Sequence, residues 1–161
     1  MGLGLSQRDC DERLLKTNRV KVSAAEAIAL AASPKLLIDA PGPGKVIEVL
    51  DAVIHNPAAN DPTYTTQYTE SSINLVIEYT GGQNISETIE GTSGAVVSAT
   101  EKLQRVTFAV GATTVYPLVV NEGVQLLSPS GDFAAGTNPW YVYITYRILD
   151  LKEGSSVFVE K

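Results

Sequence analysis

The feature that most constrains the fold is a succession of short segments with alternating side-chain character, separated by Gly, Pro and Asn. The segment WYVYITYRI, residues 140–148, shows the alternation most clearly. One set is Trp140, Val142, Ile144, Tyr146 and Ile148, and the other is Tyr141, Tyr143, Thr145 and Arg147. Because successive side chains of a strand point to opposite faces, this segment predicts a strand with one buried face.

Comparable segments recur along most of the chain. Strands are predicted at residues 18–22, 35–39, 45–54, 72–79, 103–110, 114–120, 124–127 and 156–159. Residues 45–54 also fit one face of a helix, but five of the ten are Val or Ile, which favours a strand, with or without a bulge. Short strands about every eight to twelve residues, without alternating helices, favour an all-β fold, an antiparallel β-sandwich or jelly roll.

One short helix is predicted near the N-terminus, at residues 24–32. Ser23 and Glu26 have the spacing of a capping box, in which each side chain accepts a hydrogen bond from the other residue's backbone N–H. The segment AAEAIALAA follows, and alanine has the highest helix propensity. The helix is expected to end at Ser33 and Pro34, because the residue before a proline avoids the helical region.

The first 17 residues are polar and charged, and we predict an N-terminal arm outside a single β-sandwich domain of residues 18–161. Residues 1–21 have a net charge of +2, whereas the rest of the chain has −8. A binding arm and a simple disordered terminus explain this composition equally well. In a binding arm, the predicted partner-binding residues are Arg8, Arg13, Leu14, Leu15 and Lys16.

The segment APGPGK, residues 40–45, is similar to a phosphate-binding loop because it ends in Gly-Lys before an apolar run. A Walker A loop also needs a glycine five residues before that pair and a Ser or Thr after the lysine. Asp39 and Val46 occupy those two positions here. The prolines also remove N–H groups that such a loop would donate. We therefore predict a stiff turn between two strands.

The composition disfavours several classes of protein. A net charge of −6 on 161 residues argues against nucleic acid as the main partner. Cys10 is the single cysteine, so an internal disulfide is excluded. No apolar run is long enough for a membrane span or a secretory signal. We expect a soluble protein that stays in the cytosol or is released by lysis.

The sequence offers little material for catalysis. His55 is the only histidine, so it cannot form a site of several histidines, and we expect it to be solvated at the start of a loop. Cys10 lies in the charged arm, where a fixed pairing with His55 is not expected. Glu48 and Asp51 interrupt an apolar segment and are either partly buried or on its outer face. We expect no enzyme activity and no catalytic, cofactor-binding or metal-binding residues.

The aromatic residues are the other candidate for a site. Exposed aromatic platforms bind sugars in some sandwich modules, but aromatic residues are also enriched in cores and at protein interfaces. The second explanation is favoured. It places Trp140 and Tyr146 in the core and predicts that Tyr141 and Tyr143 contact a partner chain.

The order of these motifs resembles small structural proteins encoded among the virion genes of tailed bacteriophages. The matching segments are SPKLLIDAPGPGKVIEVLDAVI, a tyrosine-containing loop, INLVIEYTGG and WYVYITYRIL, and together they cover about residues 20–149. Some of these proteins resemble capsid decoration, or cement, proteins. The resemblance implies a β-sandwich or jelly roll, a homotrimer and a position on the outer face of the head. It assigns no catalytic residue, and residues 1–17 lie outside it.

The function implied by the resemblance is a virion structural protein, made in the host cytoplasm, that stabilises the phage head by bridging capsomers. The implied partner is the major capsid protein, without direct contact to nucleic acid or membrane. The alternative is a tail, baseplate or head-fibre component that binds host surface glycans. A jelly-roll enzyme or sugar-binding module of cellular origin is a third hypothesis.

Overall fold

The computed structural model describes residues 14–57, 68, 73–90, 96–98, 101–108 and 118–151. Its elements in chain order are β1 (Lys16–Val22), α1 (Ala24–Ile28), β2 (Lys35–Ile38), β3 (Lys45–Asn56), β4 (Asn74–Tyr79), β5 (Ile89–Glu90), β6 (Lys102–Arg105), β7 (Val124–Leu127) and β8 (Trp140–Asp150). Within these ranges, one helix of five residues accompanies eight strands, which confirms the predicted all-β class.

The eight strands form two antiparallel sheets of four strands each. The first sheet has the order β1-β8-β3-β6, and the second has the order β2-β7-β4-β5. The pairs β1–β8, β2–β7, β3–β6 and β4–β5 therefore alternate between the sheets, as in one long hairpin folded over itself. This is the strand order of an eight-stranded jelly roll.

The hydrophobic core lies between the inner faces of the two sheets. Trp140, Val142 and Ile144 of β8 and Leu75 and Ile77 of β4 are fully buried there. The alternation predicted for β8 is therefore confirmed, whereas β4 is buried on both of its faces. Burying a side chain of this size stabilises the fold by about 1.5–3 kcal/mol. In β8, a register shift of one residue would turn the buried side chains towards solvent, so this burial also determines the register of that strand.

The long strand β3 pairs with β8 along most of its length and contains a bulge. The register shifts between Val49 and Asp51, so Leu50 is the additional residue and remains exposed. Val49 packs against the core, and Asp51 lies on the outer face of the sheet. The predicted strand over residues 45–54 is confirmed, and its helical interpretation is wrong.

Two buried tyrosine hydroxyls connect distant parts of the fold. Tyr79 of β4 donates a hydrogen bond to the Ile47 carbonyl of β3 at 2.5 Å, which connects the two sheets. Tyr68 donates to the Asn138 carbonyl at 2.7 Å, and its ring centroid lies 5.2 Å from that of Phe133. Burial raises the pKa of Tyr68 and of Tyr79 to about 12.

Helix α1 begins at the predicted residue. Ser23 is the N-cap, and both hydrogen bonds of the capping box with Glu26 are present. The Glu26 carboxylate also forms an ion pair with Lys35. The hydrogen bond from Lys35, assisted by that from the Ser23 backbone N–H, lowers the pKa of Glu26 to about 2.

The helix ends at Ile28, so its predicted extent to residue 32 is wrong. The backbone N–H of Ala31 donates to the Asp132 carboxylate at 2.8 Å instead of continuing the helical ladder. The tighter turn begins earlier, because the N–H of Ala29 already donates to the Glu26 carbonyl three residues before it. The contact with Asp132 follows the end of the helix.

The segment APGPGK forms the turn between β2 and β3, as predicted. Gly42 and Gly44 have φ angles of +98° and +72°, in the region that favours glycine. The Lys45 N–H donates to the Gly42 carbonyl at 3.2 Å, and the Leu151 N–H donates to the Gly44 carbonyl at 2.8 Å. The turn therefore also holds the chain segment that follows β8.

The remaining strand predictions differ in outcome. β1 begins at Lys16, so the last two residues of the predicted arm belong to the first sheet. β6 ends at Arg105, earlier than predicted, and β5 was not predicted because two residues show no periodicity. The strand predicted at 156–159 and most of that predicted at 114–120 lie outside the described residues. The division into an arm and one domain remains a prediction.

Replacing Gly44 with valine is expected to lower the free energy of unfolding by about 1–2 kcal/mol, because a β-branched residue is strained at positive φ. Urea-induced unfolding measures the change. Gly44→Asn is the matched control, since asparagine tolerates the left-handed region, and it should lose less stability. A valine variant as stable as the wild type would contradict the turn geometry.

The buried tyrosines predict a loss of stability in alkaline solution. The pKa of Tyr68 and Tyr79 in the folded protein, about 12, is above the ordinary value of 10.0. As the pH rises, these tyrosines lose their protons in the unfolded chain before they do so in the folded protein. Their contribution to the free energy of unfolding is therefore complete below about pH 10 and is lost as the pH rises towards about 12. Urea unfolding at several alkaline pH values should show this decline, and it should be shallower for Tyr68→Phe/Tyr79→Phe. Equal slopes in both proteins would refute the assignment.

Candidate partner-binding surface

The outer face of the first sheet brings together aromatic and charged side chains from all four of its strands. Strand pairing places them in rows: Lys21, Tyr141, His55 and Leu103; Arg19, Tyr143, Val53 and Arg105; Thr17, Thr145 and Asp51. Directly paired residues of a sheet share a face, so these eleven residues form one surface, which we call the tyrosine face. The side chains that alternate with them along β3 and β8 are buried.

Two tyrosines at the centre of this face are in contact with a cation. The guanidinium carbon of Arg19 lies 4.1 Å from the centroid of the Tyr141 ring and 5.8 Å from that of Tyr143. On the β3 side, the His55 ring centroid is 6.4 Å from Tyr141 and 6.3 Å from Tyr143. The two tyrosine rings are therefore packed between a guanidinium and an imidazole. Both tyrosines are half-buried.

Ion pairs occupy the part of the face that β3 and β6 supply. Arg105 donates two hydrogen bonds to Asp51, at 2.9 and 3.2 Å, and these raise the pKa of the guanidinium. His55 Nε2 lies 3.1 Å from Glu101 Oε1. Asp51 is half-buried on the outer face of its strand, so both alternatives given above for this residue apply.

A further ion pair lies beside the face, towards the other end of β3 and β8. Arg147 donates to the Glu48 carboxylate, and this hydrogen bond raises the pKa of Arg147. The two residues are directly paired across the strands. Glu48 is half-buried, so it is partly buried and outward-facing at once.

The predicted partner-binding residues fall into three groups. Tyr141 and Tyr143 lie together on the tyrosine face, half-buried. Lys16 begins β1, and Leu14 and Leu15 directly before it are 56% and 62% exposed. Arg8 and Arg13 lie outside the described residues. Binding by any of these residues remains a prediction.

Sequence reasoning missed several members of the face, above all Arg19, Lys21 and His55. The alternation of Thr17, Arg19 and Lys21 gave a signal for an outward set on β1, but nothing local indicated which strand would lie beside it. The expectation of a solvated His55 in a loop is wrong. β3 continues to Asn56, and the His55 side chain is 19% exposed and paired with Glu101.

The described residues contain no cluster of three or more His, Cys, Asp or Glu side chains that could hold a metal ion. Within the same residues, no helix is long and apolar enough to cross a membrane. The chemical groups that the tyrosine face does offer are hydrogen-bond donors, aromatic rings and charges, which suit the recognition of another molecule.

Comparison with known proteins gave matches at the level of structure. Neither a protein-family model nor a curated protein matches the chain. It is similar to a chain of the cyanophage Pam1 capsid asymmetric unit, with 17% identity, 83% of this chain and 84% of that chain covered, and a TM-score of 0.49. It is also similar to a chain of the capsid of Ralstonia phage GP4, with 16% identity, 84% and 85% covered, and a TM-score of 0.38.

Replacing Arg19 with methionine is expected to change the environment of the tyrosines with little loss of stability. An exposed cation–π contact contributes about 0.5–1 kcal/mol, so the free energy of unfolding should fall by no more than that. The near-ultraviolet circular dichroism of tyrosine should change in Arg19→Met. Lys21→Met is the control, because Lys21 lies beside the same ring without covering it, and its spectrum should match the wild type. Identical spectra for all three proteins would contradict the contact.

Proposed function

We propose that the chain is a non-enzymatic structural protein of a tailed-phage virion and, more narrowly, a head decoration protein whose tyrosine face is seated on the capsid shell. The observation that carries the proposal is the face itself. It is a strand-built surface in which two tyrosines, two arginines and an exposed leucine lie within three rows. Tyrosine and arginine are the residues that most often dominate the energy of protein interfaces.

The fold is compatible with this function but does not select it. Jelly rolls occur in viral capsid proteins, in lectins and in cupins, so the function has to be argued from the surface. The motif order of the sequence, from the APGPGK turn to the final WYVYITYRIL strand, resembles virion proteins of tailed phages. The turn and the strand both have the predicted structure, and together with the face they support the virion hypothesis.

The proposed mechanism is mechanical. Each copy would bury the tyrosine face against the major capsid protein, and a homotrimer would bridge neighbouring capsomers. Many modest contacts engaged together hold far more strongly than one contact alone, because each further contact is intramolecular once the first has formed. Leu14, Leu15 and the predicted arm before them would add a second, flexible contact from the start of β1. The protein would then lie on the outer surface of the head.

The glycan-binding alternative fits the geometry less well. A sugar ring stacks on the free face of an aromatic ring, but the guanidinium of Arg19 covers Tyr141 at 4.1 Å. His55 flanks both tyrosines on the β3 side. Stacking on Tyr141 would therefore first require displacement of Arg19. Protein contacts through ring edges, hydroxyl groups and the guanidinium need no such rearrangement.

Two matched substitutions test which surface is seated on the shell. Leu103 lies on the tyrosine face and is 66% exposed, whereas Leu36 lies on the outer side of the second sheet and is 45% exposed. Particles made without the native protein are incubated with each variant, and occupancy is measured by densitometry against the capsid band. Leu103→Glu should reduce apparent affinity at least about tenfold, because it buries a charge in the contact, and Leu36→Glu should bind like the wild type.

The same assay examines the contribution of the arm. A variant lacking residues 2–13 keeps all of β1 and should remain folded with reduced occupancy if the arm contributes.

A decoration protein should be present in hundreds of copies on each native particle, as quantitative mass spectrometry can measure. A few copies per particle would favour the tail or fibre alternative. Stronger loss in Leu36→Glu than in Leu103→Glu would place the contact on the other sheet.

A further inference from the structure

The charges of the tyrosine face are divided unevenly between its two sides. On and beside the β3–β6 side, each described carboxylate already has a cation. The pairs are Asp51 with Arg105, Glu48 with Arg147 and Glu101 with His55, the last when the imidazole is protonated. On the β1 side, Arg19 and Lys21 are exposed and form no ion pair with any described residue. Among the described residues of this surface, the charge left without an ion pair is therefore positive.

The unpaired side is also rich in hydrogen-bond donors. A guanidinium stacked on an aromatic ring keeps its N–H groups directed outward in the plane of the fork. The guanidinium carbon of Arg19 lies over the Tyr141 ring, 4.1 Å from its centroid, and 5.8 Å from that of Tyr143. The Lys21 ammonium lies in the same row as Tyr141, and the tyrosine rings bring hydroxyl groups. Two adjacent strands thus present positive charge and donors at fixed spacing.

We propose that the β1–β8 side of the tyrosine face binds a carboxylate-rich surface of a partner protein. Arg19 makes a bidentate contact with one carboxylate, and Lys21 binds a second. Tyr141 and Tyr143 form the desolvated centre of the contact, and the exposed Leu103 extends it at the far edge. This proposal adds the chemistry of the partner surface to the proposed function. It rests on the proposed function in one respect only, that the partner is the capsid shell.

A protein partner fits this surface better than a polyphosphate does. Among the described residues of the face, the cations without an ion pair are Arg19 and Lys21, both on β1, and the chain carries a net charge of −6. A nucleic acid would lay a continuous row of phosphates across the face, and most of these phosphates would meet no free cation. A folded protein can place isolated carboxylates opposite Arg19 and Lys21 and apolar groups opposite Leu103.

The test uses the full-length chain, labelled with ¹⁵N, in a nuclear magnetic resonance titration at low salt. The probes are hexaglutamate, the oligonucleotide hexathymidylate and the sugar maltohexaose. Hexaglutamate should shift the amide signals of residues 19–21 and 141–143, and added salt should weaken its binding. Arg19→Gln should weaken the affinity about tenfold, since a charged hydrogen-bonded pair is lost. Arg19→Lys should lie in between, because it keeps the charge without the fork.

Lys45→Gln is the matched control for Lys21→Gln. Both substitutions remove one positive charge from a strand lysine of the first sheet, but Lys45 is at the far end of β3. Only Lys21→Gln should weaken the binding of hexaglutamate. The titration contains no phage particle. A failure of this proposal can therefore be distinguished from a failure of the proposed function, which the particle assay tests.

Four outcomes would overturn the inference. The first is that hexaglutamate shifts mainly amide signals of the protein outside β1 and β8. The second is that Lys45→Gln weakens the binding of hexaglutamate as much as Lys21→Gln does. The third is tighter binding of hexathymidylate or maltohexaose than of hexaglutamate at this face. The fourth is the same set of shifts when the protein alone is concentrated, because the occupant would then be a second copy of the chain.

Discussion

The antiparallel pairing of β3 with β8 is the constraint on which both the core and the candidate site depend. The two strands form the centre of the first sheet, between β1 and β6, and pair from Lys45–Asp150 to His55–Tyr141. Their inner side chains, such as Ile54 and Ile144, are fully buried between the sheets. Because side chains alternate along a strand, the register that buries this set also builds the central rows of the tyrosine face.

This coupling gives the surface a rigid support. Each outward tyrosine of β8 is flanked in sequence by residues that are completely buried, Trp140, Val142 and Ile144. Moving a tyrosine backbone would disturb the packed core, where even one methylene group matters. Sites on strands hold their geometry more closely than sites on loops, and Arg19 adds a lateral restraint over the rings. A preorganised face loses less entropy when it binds.

The jelly-roll order makes almost every important pairing distant in sequence. Val22 pairs with Trp140 and Lys16 with Tyr146, so β1 joins its sheet only after nearly the whole domain has been traversed. Closing such long loops is slow and is compensated by later contacts. The hydrogen bond from Tyr79 to the Ile47 carbonyl then joins the sheets within the core. Stability and site geometry are both properties of the completed sandwich.

The sequence by itself determined the features that depend on residues a few positions apart. Local patterns predicted the strands β4 and β8 and the buried face of β8, the capping box predicted the start of α1, and the glycines and prolines of APGPGK predicted a turn. Each follows from backbone geometry or from a contact within one turn or strand. The presence of a mainly β fold followed from the same local patterns.

The tertiary structure alone decided which strands are neighbours, and therefore the composition of the site. Arg19 over Tyr141 and His55 beside Glu101 join residues far apart in the chain, and no local pattern carries that information. The hydrogen bond from Ala31 to Asp132, just after the end of α1, is another contact of this kind. Local periodicity determines which side of a strand faces the core, but only the packing of the whole chain selects the partner on the other side.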